Sequence, residues 1–131
     1  GASWHIAGQV PTSPTEWVMA EARERGGSEL VASLRSELGR LMSWSSDGGD
    51  TWTPPKRAPG LPEPVGGCEG AMFLHPDGRL YYSHPDRHLL REVMMVKVSE
   101  DQGRSWSDHR MIWGPGHGCD EPCVPAASYS S

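Results

Sequence analysis

An eight-residue turn signature, Ser-x-Asp-x-Gly-x-Ser/Thr-Trp, occurs twice in this 131-residue chain and constrains its fold more than any other feature. The first copy reads Ser45-Ser46-Asp47-Gly48-Gly49-Asp50-Thr51-Trp52; the second, 54 residues on, reads Ser99-Glu100-Asp101-Gln102-Gly103-Arg104-Ser105-Trp106. Gly1-Ala2-Ser3-Trp4 matches the latter half of the signature, so tryptophans recur at positions 4, 52 and 106. The residue types suit a hairpin turn that closes on itself. Ser and Asp side chains accept hydrogen bonds from amides a few residues on, and glycine supplies a positive φ. The terminal Trp is a large apolar body able to plug the gap between adjacent sheets. One copy could be a chance surface turn, but recurrence at roughly 40 to 50 residues is the mark of propeller blades.

A ring of blades typically needs about four to eight of them, and each buries its faces only against its neighbours. A chain of this length, opening partway through a repeat, is therefore expected to be an interior piece of a larger protein, with apolar sheet exposed at both ends. The net charge of −5 leaves no basic stripe for phosphates, so no nucleic-acid partner is expected. No apolar run approaches about 18 residues, so no membrane-spanning segment is expected. The three cysteines, Cys68, Cys119 and Cys123, define no disulfide framework. Cys119 and Cys123 share a loop with His117, Asp120 and Glu121, but the spacing matches no standard zinc pattern, and a local disulfide or two free thiols are the alternatives.

Read as strands and turns, the chain divides into the end of one blade (1–13), a blade (14–60), a second blade (61–113), and a loop with the start of the next (114–131). Expected strands are Trp4 to Val10, then Glu16 to Arg23, Glu29 to Ser36, Gly39 to Ser45 and Trp52 to Arg57. Cys68 to His75, Arg79 to His84, Glu92 to Val98 and Trp106 to Trp113 follow. Asp77-Gly78 is a tight-hairpin signal. A helical reading competes over Pro14 to Glu24 and Glu29 to Arg40, where alternation and the Gly26-Gly27 pair favour strands. His75, His84, His88 and His109 fall in turns or at strand ends and read as solvated.

Beyond the octets, an ordered set of segments resembles the sialidases (neuraminidases), six-bladed propeller glycoside hydrolases whose repeats are called Asp boxes or BNR repeats. Glu16-Trp17-Val18-Met19-Ala20-Glu21 with Leu30-Val31-Ala32-Ser33-Leu34-Arg35-Ser36 looks like the segment holding the family's catalytic glutamate. Gly67-Cys68-Glu69-Gly70-Ala71 is similar to the Gly-Cys-Gln-Gly-Ser of animal members, and Leu80-Tyr81-Tyr82-Ser83-His84-Pro85 resembles another of their strands. Arg91 falls where the family places a substrate-binding arginine, and Ala127-Ser128-Tyr129-Ser130-Ser131 is similar to the stretch around its tyrosine. The resemblance covers nearly the whole chain. It implies an all-β, incomplete six-bladed propeller of sialidase type, about two full four-stranded blades plus parts of two others.

It also implies an exo-α-sialidase that removes terminal sialic acids from glycoproteins, glycolipids or oligosaccharides with no cofactor. Sialic acid bears a carboxylate on its anomeric carbon, and a carboxylate nucleophile 4 Å away would be repelled by about 4 kcal/mol at an effective dielectric of about 20. A neutral phenol avoids that repulsion, and sialidases use tyrosine. With an ordinary pKa of about 10, the phenol needs a base. The resemblance assigns nucleophile to Tyr129, base to Glu16, and the carboxylate grip to Arg35 and Arg91, whose guanidinium forks suit a carboxylate. Glu21 and Glu24 rival Glu16, which is preferred for its 19-residue lead over Arg35; Arg40 and Arg87 are the competing arginines.

The family's first arginine, its Phe/Tyr-Arg-Ile-Pro motif and its acid/base aspartate belong to amino-terminal blades that this chain lacks, so the chain alone is expected to be inactive. Glu69 stands for the usual Gln and Ala71 for the usual Ser. The compartment is open between the lysosomal, cytoplasmic and membrane-associated settings of animal-type sialidases. A second reading is a non-catalytic Asp-box propeller that binds carbohydrate or protein, against which the Glu-Arg-Arg-Tyr set speaks.

Overall fold

The computed structural model describes residues 3–4, 6–11, 16–22, 29–37, 39–64, 66–86 and 91–114. Its strands form two four-stranded antiparallel meanders. The first sheet runs β1 (Trp17–Ala22), β2 (Glu29–Leu34), β3 (Leu41–Ser45) and β4 (Lys56–Arg57); the second runs β5 (Ala71–Leu74), β6 (Leu80–Pro85), β7 (Met94–Ser99) and β8 (Ser107–Trp113). The fold is all-β, two successive sheets of an incomplete propeller. Among the described residues no helix is long and apolar enough to cross a membrane.

Period-two patterning explains why β1 is a strand and not the competing helix. Val18, Ala20 and Ala22 turn inward while Trp17, Met19 and Glu21 turn outward, and the ladder runs from Trp17 opposite Leu34 to Ala22 opposite Glu29. Inward residues from both sheets meet in one core: Ala22, Val31, Met42, Ala58 and Leu61 pack with Met72, Leu80, Tyr82 and Trp106. Fully burying an aliphatic side chain of this kind contributes about 1.5–3 kcal/mol, so this shared core holds the sheets as one body. Ser33 donates a hydrogen bond of 3.1 Å to the Tyr82 hydroxyl across the interface. The outward faces leave Trp17, Met19, Phe73 and Ile112 exposed.

The two octets fold alike. Ser45 Oγ accepts from the Gly49 amide at 2.9 Å and donates to Asp47 Oδ1, while Asp47 accepts from the Thr51 amide at 2.9 Å and the Thr51 hydroxyl. Ser99, Asp101, Gly103 and Ser105 repeat the same four bonds. The fifth-position glycines have φ of +99° and +83°. The Thr51 hydroxyl, then its amide, hold the Asp47 carboxyl down to about 2. Asp101 also lies below its ordinary value: burial pushes it up, and the Ser105 hydroxyl and amide outweigh that. Each closing Trp donates its indole N–H to the octet glycine carbonyl. Trp106 is buried against Tyr82, ring centroids 5.6 Å apart. From the first sheet, Trp44 Nε1 reaches the Gln102 carbonyl at 2.8 Å, so the second octet also joins the sheets.

Three expectations are corrected. The described part of the stretch from Trp4 to Val10 is not a strand; its backbone tie is the Gly8 amide to the Gly49 carbonyl at 3.0 Å, and Trp4 and Ile6 are exposed. The fourth strand of the first sheet shrinks from Trp52–Arg57 to Lys56–Arg57, because Pro54 and Pro55 have no amide to give a ladder.

The third correction is His84, which is not solvated but 1% exposed. Strand β6 continues through Pro85, and alternation puts His84 on the inward face with Leu80 and Tyr82. Neither ring nitrogen has a hydrogen-bond partner among the described residues. Asp86 Oδ1 lies 3.7 Å from Nε2, and Lys97 Nζ lies 2.6 Å from that oxygen and 2.5 Å from Asp108 Oδ1. Burial, then the charges of Lys97 and Arg40, push His84 down to about 3.

The sign follows from linkage. An unfolded His titrates near 6.5, so between about pH 6.5 and 3 the unfolded chain binds a proton that the folded one does not. Stability is full above that window and falls as pH drops through it, by up to roughly 1.4 kcal/mol per pH unit. Urea denaturation across that range should show the slope, and His84→Leu should flatten it. An unchanged slope in the variant would assign the acid sensitivity elsewhere.

Candidate active site

The β1–β2 hairpin alone brings Glu16 to Arg35. Glu16 immediately precedes β1 and Arg35 follows β2, one step beyond the Trp17–Leu34 pair, and the Arg35 amide bonds the Glu16 carbonyl at 2.9 Å. The 19-residue spacing is thus the span of a hairpin with its flanking pair. Their side chains meet as well, Arg35 Nη1 donating to Glu16 Oε2 at 2.6 Å. That bond, against the opposing effect of partial burial, holds the Arg35 guanidinium above its ordinary value.

The second sheet supplies the rest from the same end, the start of β5 and the start of β7. Arg35 Nε and Nη2 both donate to the Gly66 carbonyl, at 3.2 and 3.1 Å. Arg91, just ahead of β7, donates through Nη2 to the next carbonyl, Gly67, at 3.2 Å. Both glycines are left-handed, φ +81° and +71°, and a Cβ at Gly67 would stand 2.8 Å from Arg35 Cγ. The turn must therefore carry glycine to present consecutive carbonyls to two guanidinium groups.

Beneath this turn lies a buried ion pair that sequence reasoning did not find. Arg40 Nε donates to Glu63 Oε1 and Arg40 Nη2 to the Cys68 carbonyl, while Glu63 Oε2 accepts the Cys68 amide at 2.8 Å. The side chains of Arg40 and Glu63 are 1% and 4% exposed, so Arg40, a rival for substrate binding, cannot reach a ligand. Burial raises the Glu63 carboxyl above its ordinary value, and Arg40 partly offsets it. A sequence signal existed only in the arginine that opens the apolar run Leu41-Met42. The partners are 23 and 28 residues away, too far for any local pattern.

Of the four expected site residues, Glu16 and Arg35 are in contact and Arg91 shares their glycine turn; Tyr129 lies outside the described residues. So do Glu24, His88, Arg87, His117, Cys119, Asp120, Glu121 and Cys123. The rival Glu21 sits on β1 opposite Leu30, well along the strand from Arg35. Among the described residues no group of three or more His, Cys, Asp or Glu could hold a metal ion, and Cys68 is a buried free thiol.

Successive antiparallel four-stranded sheets, each with an octet turn between its third and fourth strands and carrying a carboxylate and two arginines at one end, define a piece of a sialidase-like propeller. Consistent with that class, residues 1–130 match the family described as BNR repeat-like domain. The chain belongs to this family. Among solved structures it is similar to Hadza microbial sialidase Hz136, with 28% sequence identity and a TM-score of 0.70 over 87% of this chain. The chain spans 24% of that protein's length. Comparison with curated proteins gave no match.

Proposed function

We propose that this chain is the part of an exo-α-sialidase that carries the nucleophile, its base and two of the carboxylate-binding arginines. What supports the reading is the placement of Arg35 and Arg91 on consecutive carbonyls with Glu16 joined to Arg35 at 2.6 Å. Two guanidinium groups held on adjacent carbonyls of one turn suit a planar carboxylate. In this mechanism the Tyr129 oxygen attacks the anomeric carbon as the glycosidic bond breaks, and Glu16 takes the phenol proton. The departing oxygen is protonated by an acid outside this chain. Water then displaces the tyrosyl oxygen, giving net retention. Arg35 holds Glu16 Oε2 at 2.6 Å, and in this reading Oε1 takes the phenol proton. Substrates are sialylated glycoproteins, glycolipids or oligosaccharides, and the animal-type likeness of the Gly-Cys-Glu-Gly turn belongs to the same proposal.

The test is the substrate carboxylate itself. Full-length protein should hydrolyse a fluorogenic α-sialoside and lose at least about 100-fold in kcat/KM on its methyl ester, because charge-assisted hydrogen bonds contribute about 1.5–3 kcal/mol each. Equal turnover of acid and ester would remove the arginine grip. Saturable binding of sialosides without turnover would favour a carbohydrate-binding propeller.

A further inference from the structure

We infer that Arg40 and Glu63 are positioning residues for the sialoside carboxylate: a buried clamp that sets the two carbonyls on which Arg35 and Arg91 rest. The inference rests on the functional reading above for its ligand, and on geometry alone for the clamp.

The carbonyls of Gly66 and Gly67 belong to a turn whose two ends are tied by a single buried unit. At one end stands Glu63, whose carboxylate accepts the Cys68 amide at 2.8 Å. At the other stands Cys68, whose carbonyl accepts from Arg40 while Arg40 also holds Glu63. The Gly67 amide bonds the Pro64 carbonyl at 2.8 Å and closes the turn from within. Between these ties no side chain of residues 66 and 67 exists to pack, so the position of their carbonyls depends on the ends of the turn. Arg40 leads into β3 of the first sheet, and Cys68 leads towards β5 of the second. The clamp therefore fixes the turn against both sheets at once.

The arrangement also gives the fully buried arginine a role beyond stability. Buried ion pairs are commonly replaceable by apolar residues without loss of stability. A guanidinium, in contrast with an apolar side chain, can grip a carboxylate and a backbone carbonyl together with its fork. The preserved quantity is then the geometry of the turn. An error of about 1 Å in a positioning group costs up to roughly 100-fold in function.

The decisive variant is Arg40→Met with Glu63→Leu in the full-length protein, which removes the clamp without leaving a buried charge alone. It should fold, with a denaturation midpoint lowered by the loss of the two bonds to the buried Cys68 backbone but less than in Arg40→Met alone. KM for a fluorogenic sialoside should rise about tenfold with kcat changed less than about twofold, the signature of lost uniform binding. Adding Arg35→Lys should raise KM far less in this background than in the original protein. A folded double variant with the original KM overturns the inference. A second readout does not depend on turnover: exchange of the Gly67 and Cys68 amide protons should quicken about tenfold or more in the double variant. If the original protein hydrolyses no sialoside, the functional reading fails and the exchange rates alone decide the clamp; unchanged rates overturn it.

Discussion

Arg40→Met alone is expected to destabilise the protein by about 3–5 kcal/mol, the cost typical of breaking a buried ion pair from one side. The side chains of Arg40 and Glu63 are 1% and 4% exposed, so the remaining carboxylate would have no water to turn to. It would also lose the cation that lowers its pKa against the upward push of burial. An acid whose folded pKa is raised stabilises the fold below that pKa and loses the contribution as pH rises through it. The penalty of Arg40→Met should therefore be greatest at neutral pH and shrink in acid, where Glu63 takes up a proton. Glu63→Gln placed in the same background should restore part of the loss at neutral pH, because a neutral amide can still accept the Cys68 amide. Urea denaturation of the single and double variants checks both points. A loss under about 1 kcal/mol, independent of pH, would show that the carboxylate finds another partner.

How much of this was readable beforehand follows from how far apart the interacting residues lie. The octets were legible because each closes within eight residues: Ser45, Asp47, Gly49, Thr51 and Trp52 bond among themselves, and Ser99 to Trp106 repeat it. The meeting of Glu16 with Arg35 was legible for a similar reason, since one hairpin supplies both. The turn beneath them was not. Arg40, Glu63 and Cys68 sit on segments that only sheet-to-sheet packing brings together, and in sequence Arg40 stands only as a rival to Arg35 for substrate binding. His84 was misread because a histidine before proline at a strand end is commonly solvated; the alternation Leu80, Tyr82, His84 pointed the other way. Trp4 to Val10 misled in the reverse sense, for its place after the partial octet suggested an outer strand where the described backbone makes no ladder.

Tyr129→Phe is the remaining large effect, and it separates chemistry from binding. Under the proposed mechanism the phenol oxygen is the atom that bonds the anomeric carbon, and phenylalanine keeps the ring while deleting that atom. In the full-length protein kcat should fall by roughly 1,000-fold or more, about 4 kcal/mol of transition-state stabilisation. KM should change little, because Arg35 and Arg91 remain on their carbonyls and the substrate carboxylate is still gripped. Glu16→Gln should lower kcat as well, since the phenol would then lack its base, but it should also raise KM by freeing Arg35 from its 2.6 Å partner. The pair of variants thus predicts two different kinetic patterns from two residues assigned to one displacement. Proton NMR of the first product formed by the original protein should show the α-anomer, as two successive displacements require. A Tyr129→Phe variant with the original kcat would transfer the nucleophile to another residue or to water, and a β-anomer as the first product would replace the covalent route by direct attack of water.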